Sequence, residues 1–204
     1  MRVMRIAVAA SSVLLFVGCG RSDRTLYPLG QGLTWEYQIA AGSMLGLEGE
    51  QRVTVTNLPQ RDLSGRRVTP QKVDIGQQSH FSFVVSDQSG IYEYAHQPAG
   101  AVEPEILPTP SYYIKYPLKT GATWEGTTET NLLTKKVSIS THTTVESMDE
   151  AVTVPAGTFE HCVKTKTVGE TSQNLGAFMG TARVTVEEYS WFCPGVGMVK
   201  AVRK

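Results

Sequence analysis

The chain has 204 residues, enough to bury a sizeable core as one domain or two small ones without a disulfide scaffold. Hydrophobic residues at 41% and charged residues at 19% exclude wholesale disorder and a multispan membrane protein. Lys plus Arg and Asp plus Glu number 19 each, so the formal net charge is zero and there is no basic footprint for nucleic acid.

Arg2 and Arg5 precede an apolar run over residues 6–17 that closes on Gly18-Cys19. The run is short of the roughly 20 residues that a helix needs to cross the bilayer core, and its charged start and small-residue end read as a signal peptide. Leu15-Phe16-Val17-Gly18-Cys19 resembles the lipobox of bacterial lipoproteins, with Phe16 standing where that pattern usually has Leu. The resemblance implies cleavage after residue 18, acylation of Cys19 with palmitate-type chains, and anchorage to a membrane without spanning it. Losing Arg2 and Arg5 leaves 17 basic against 19 acidic residues, a net charge of −2. The tether, residues 19–26, is short, so the domain is held within roughly 25 Å of its bilayer. Gly20 in place of an Asp after the cysteine favours the outer membrane, facing the periplasm, by analogy with such lipoproteins.

Beyond the tether the chain reads as short runs rich in Val, Ile, Thr, Tyr and Phe, separated by Gly, Pro, Asn and Asp. Strands are expected over residues 33–39, 51–56, 66–75, 81–86, 91–95, 122–130, 135–146, 151–154, 158–168, 182–192 and 198–203. No window of helical length keeps an apolar stripe, so the fold class is mainly β, with antiparallel sheets and low helix content.

An internal echo divides the chain. Tyr27-Pro-Leu-Gly-Gln-Gly-Leu-Thr-Trp-Glu36 is matched by Tyr116-Pro-Leu-Lys-Thr-Gly-Ala-Thr-Trp-Glu125. Each half also ends in an aromatic run, a turn and a strand opening on Gly90 or Gly197. The expectation is two duplicated β units, residues 27–96 and 116–204, with Trp35 and Trp124 buried at equivalent places. Between them, residues 97–115 carry four prolines and few strand formers, and are expected to form a linker or long exposed loop.

In the second half, Val152-Thr-Val-Pro-Ala-Gly-Thr-Phe159 with Cys162, then Pro194-Gly-Val-Gly197, resembles a group of poorly characterised bacterial envelope proteins with a V-P-A-G-T-F…C…P-G-V-G pattern. The resemblance implies a β-rich envelope domain and brings no catalytic residues with it. Cys162 and Cys193 are the cysteines left once Cys19 is acylated, an even pair suited to a disulfide in an oxidising compartment. If they face each other across a hairpin, its tip falls between Ala177 and Phe178, among turn-forming residues. Two unpaired buried thiols are the alternative.

Glu160, His161 and Cys162 do not make a metal site, because a strand turns His161 away from its neighbours. His80, His96 and His142 have no partner at metal-ligand spacing and read as strand residues. No catalytic or phosphate-cradling motif is present, and no cofactor is expected. Trp35, Trp124, Trp191 and the tyrosines read first as core, and otherwise as the lining of a ligand cavity. Two functions remain: a membrane-tethered, non-catalytic interaction or structural module with an envelope protein partner, or a carrier or sensor of a lipid-like apolar ligand in a curved sheet. A contiguous apolar cavity of several hundred Å³ would favour the carrier, on the usual size of ligand sites.

Overall fold

The computed structural model describes residues 25–41, 49–132, 135–174 and 180–203; the leader, Cys19 and most of the tether lie outside them. Among the described residues the chain is all β. A seven-stranded antiparallel sheet contains β1 (Thr34–Ala41), β2 (Gly49–Asn57), β3 (Arg61–Leu63), β4 (Arg66–Ile75), β5 (Gln78–Asp87), β6 (Gly90–Gln97) and β7 (Glu105–Lys115). Its order is β1-β2-β4-β5-β6-β7, with β3 pairing β4. A five-stranded antiparallel sheet follows, built from β8 (Thr123–Leu132), β9 (Lys135–Val154), β10 (Gly157–Asn174), β11 (Thr181–Cys193) and β12 (Gly197–Arg203), each beside its neighbour in sequence.

Every strand expected from the alternating pattern is present, and the stretches 135–146 and 151–154 fuse into the 20-residue β9. The expected linker needs correction. Residues 105–115 form β7, the edge strand of the first sheet. Prolines are tolerated on an edge because one side of the strand donates to nothing. Here Pro108 and Pro110 also fall where pairing breaks, between Ile106 opposite Ala95 and Ser111 opposite Glu93.

The openings of the two units share one backbone hydrogen-bond pattern. Gly32 N donates to Asn57 O (2.9 Å), Asn57 N to Leu33 O (2.9 Å) and Leu33 N to Gly30 O (3.3 Å). In the second unit Gly121 N donates to Val145 O (2.8 Å), Val145 N to Ala122 O (2.9 Å) and Ala122 N to Lys119 O (2.9 Å). Gly32 and Gly121 hold φ of 80° and 79°, the left-handed region that a residue with a Cβ enters at a cost. Trp35 on β1 and Trp124 on β8 then occupy the first, edge strand of their sheets. Their burial differs from expectation. Trp124 is 5% exposed and packs on Val145 and Val163, whereas Trp35 is only half-buried.

The units grip each other in exchange. The first unit's entry segment meets the second unit's last hairpin, through Gly195 N donating to Thr25 O (2.8 Å) and Tyr27 packing on Phe192. The second unit's entry meets the first unit's last hairpin, through Tyr116 N donating to Ser89 O (3.0 Å). Val84, Ile91, Ile114 and Phe192 form the core at this seam, closed by Leu26, Leu29 and Leu118. Away from the seam the second sheet coils on itself. Gly126, Thr141, Gly169 and Val186 stand in one cross-strand row, and a Cβ on Gly169 would lie 2.7 Å from Ser140 O. The two glycines in this row ease the bend that brings Arg203 on β12 toward Thr128 on β8, with Val137, Ile139 and Val186 packed together.

Candidate functional site

Cys162 and Cys193 form a disulfide, with Cα atoms 4.1 Å apart. The β10–β11 register runs from Val163 opposite Phe192 to Asn174 opposite Thr181, which places the hairpin midpoint between Ala177 and Phe178, outside the described residues. The bridge packs with Val152, Phe159, Val196 and Val199 at the end of the sheet nearest the entry segment. Cys19, the expected lipidation site, lies outside the described residues.

Among the described residues a cavity of about 150 Å³ lies between the inner face of the first sheet and β12. Alternation along β1 turns Trp35 and Tyr37 to that face; β2 and β4 add Val55, Gln71 and Val73, β5 adds Ser82, and β7 adds Tyr113. Tyr27 and Pro28 arrive with the entry segment, and Gly197 and Met198 close the far wall. Gly197 holds φ of 100°, and a Cβ there would sit 3.5 Å from Pro28 and 3.8 Å from the Trp35 indole nitrogen.

Hydrogen bonds stiffen this wall. Tyr27 Oη donates to Gln71 Oε1 (3.0 Å), Gln71 Nε2 to Asn57 Oδ1 (2.8 Å), and Asn57 Nδ2 to the carbonyls of Pro28 and Gly30 (3.1 Å each). The chain of bonds returns to the segment that carries Tyr27, and Asn57 and Gln71 are only 1% and 2% exposed. Tyr27 also stacks on Tyr113, with centroids 5.0 Å apart and planes 5° from parallel. Trp35 Nε1 donates to Val196 O (2.6 Å) and Tyr37 Oη to Met198 O (2.9 Å), so β1 holds the partner unit's hairpin by its backbone. Burial raises all three phenols: Tyr37 is pushed up to about 12, and Tyr27 and Tyr113 are raised as well. They stay neutral and act as hydrogen-bonding rings.

Next to this cavity the inner face carries His96, bonded to Glu93 at 3.1 Å, with the His80 ring 5.3 Å away. Desolvation and His96 lower the His80 pKa. His142 pairs with Glu125 (2.7 Å) and His161 with Asp149 (2.8 Å) on the surface. Among the described residues no group of three or more His, Cys, Asp or Glu is placed to hold a metal ion.

The three tryptophans therefore have three settings. Trp35 lines the cavity, Trp124 is core, and Trp191 lies on the outer face of the second sheet between Lys164 and Lys200 (5.5 and 5.2 Å), with its Nε1 donating to Glu150. Gln71 and Ser82 were not singled out by the sequence, and Tyr37 and Tyr113 only with the tyrosines as a class. Their alternation marks the inner face but not the gap above it. Comparison with known protein families, curated proteins and solved structures finds no match to this chain.

Proposed function

We propose that the chain is an exported lipoprotein, anchored through acylated Cys19 in the outer membrane and facing the periplasm, that works as a non-catalytic interaction or structural module on an envelope protein partner. The observation that favours the module over a lipid carrier is the side-chain-filled core of the described residues. Phe83, Ile91, Ile114, Ile139, Val68 and Val145 are fully buried, and the seam cavity measures about 150 Å³, too small for an acyl chain, which asks for several hundred. Export is supported by the buried Cys162–Cys193 disulfide, a bond that persists in oxidising compartments. Short reach supports work close to the bilayer, because the entry segment is pinned at Thr25 by Gly195.

Two measurements test the reading. Mass spectrometry of the membrane fraction is expected to find acylated Cys19 as the N-terminus, and Cys19→Ser to release the protein; a soluble mature chain starting elsewhere would sink the anchor. Mixed with vesicles containing a fluorescent phospholipid, the released Cys19→Ser protein is expected to extract none. Stoichiometric extraction would favour the carrier.

A further inference from the structure

The geometry points to the seam cavity as a binding site for one small, uncharged ring bearing a hydroxyl, a phenol in size and chemistry. Size sets the first limit: an apolar cavity of about 150 Å³ accepts a benzene ring, and this one has that volume. The lining sets the second. Tyr27, Trp35, Tyr37 and Tyr113 offer ring faces and edges, and Val55, Val73 and Met198 add aliphatic surface. Among the described residues no Lys, Arg, Asp or Glu lines the cavity, and its phenols are held neutral, so a charged ligand would be desolvated without a partner.

Polar capacity fixes the hydroxyl. Trp35 Nε1 and Tyr37 Oη spend their protons on backbone carbonyls of the β11–β12 hairpin, Val196 O and Met198 O. Gln71 gives one amide proton to Asn57 and accepts from Tyr27, which leaves its second amide proton and one carbonyl lone pair. Ser82, beside the Tyr113 hydroxyl, also reaches the cavity. A single hydroxyl can donate and accept among these groups, whereas a sugar's ring of hydroxyls would also press against the aliphatic wall of Val55, Val73 and Met198, where they have no partner.

The mature, disulfide-bonded protein is titrated with phenol, benzoate and glucose by calorimetry. Phenol is expected to bind one to one with a Kd of about 1 mM, and benzoate and glucose at least roughly tenfold more weakly. Val73→Phe, which fills the cavity, is expected to abolish phenol binding. In case that variant does not fold, phenol ring protons on the wild-type protein are expected to show NMR cross-peaks to the Val55, Val73 and Met198 methyls. Absence of saturable binding, equal binding of benzoate or glucose, or cross-peaks to other methyls would each overturn the assignment. Because lipid attachment is read separately from Cys19, failure here leaves the anchoring proposal to its own test.

Discussion

Beneath the first unit's opening turn lies a polar network, and beneath the second unit's lies an apolar cluster. Asn57, inside the first turn, spends its amide on two carbonyls of the entry segment and its oxygen on Gln71. Val145 occupies the corresponding place in the second and packs with Trp124 and Val163. The backbone bonds of the two turns are the same, so the glycine geometry, and not the filling, specifies this element. The filling decides what the turn can serve. An apolar cluster closes on itself, whereas a hydrogen-bonded wall has directional partners and can stand beside a cavity without collapsing.

The comparison can be broken by substitution, and the largest effect belongs to the apolar side. Trp124→Ala empties a fully packed site and is expected to cost about 3–5 kcal/mol in denaturant unfolding. Reducing the Cys162–Cys193 bridge, which spans 31 residues, is expected to lower stability by about 3–4 kcal/mol in the chain-entropy view, read as a drop in Tm. On the polar side, Asn57→Ala leaves Gln71 and two carbonyls short of a partner, and about 2–3 kcal/mol is expected. Trp35→Ala removes a half-buried ring and one hydrogen bond, so about 1–3 kcal/mol is expected, clearly below Trp124→Ala. Equal costs for the two tryptophans would erase the distinction between the turns.

The phenols sharpen it further. Tyr37 is raised to about 12 and Tyr27 and Tyr113 are raised too, all by burial, while in the unfolded chain they ionise near the ordinary value of 10.0. Below that value both states are protonated and stability is unaffected. Above it the unfolded chain loses protons first, so stability is expected to fall as pH rises from about 10 through 12. Thermal scans across that range, with tyrosinate absorbance as a second reading, check the sign. Stability that holds flat through pH 12 would mean the three rings are open to solvent.

Much of the architecture was legible because it rests on local rules. The two openings were readable from Tyr-Pro-Leu and Gly-x-x-Trp, and the disulfide from a single hairpin whose register keeps Cys162 and Cys193 opposite each other. β3 was not readable: Arg61 and Asp62 look like surface, yet the Arg61 guanidinium lies over the Phe83 ring and Leu63 covers the outer core. β7 was hidden by its prolines, which suit an edge strand that the sequence alone does not identify as an edge. The cavity was hidden for a different reason. It lies where Gly197 meets Trp35 and Pro28, residues far apart in sequence whose approach no periodicity encodes. The equal burial expected of Trp35 and Trp124 was not found: Trp35 lines the cavity, and Trp124 is core.

The central structural claim is that each unit is capped by the other, and native-state hydrogen exchange reads it directly. Trp35 belongs to the first unit but hydrogen-bonds the turn between β11 and β12 of the second. Exchange is therefore compared between the wild-type protein and Trp35→Phe, which keeps a ring and deletes the donor. The account predicts faster exchange of the Gly195 and Val196 amides and their β12 neighbours, with β4 and β5 of the first unit unchanged. Faster exchange confined to the first unit, with the β11–β12 hairpin unaffected, would contradict reciprocal capping.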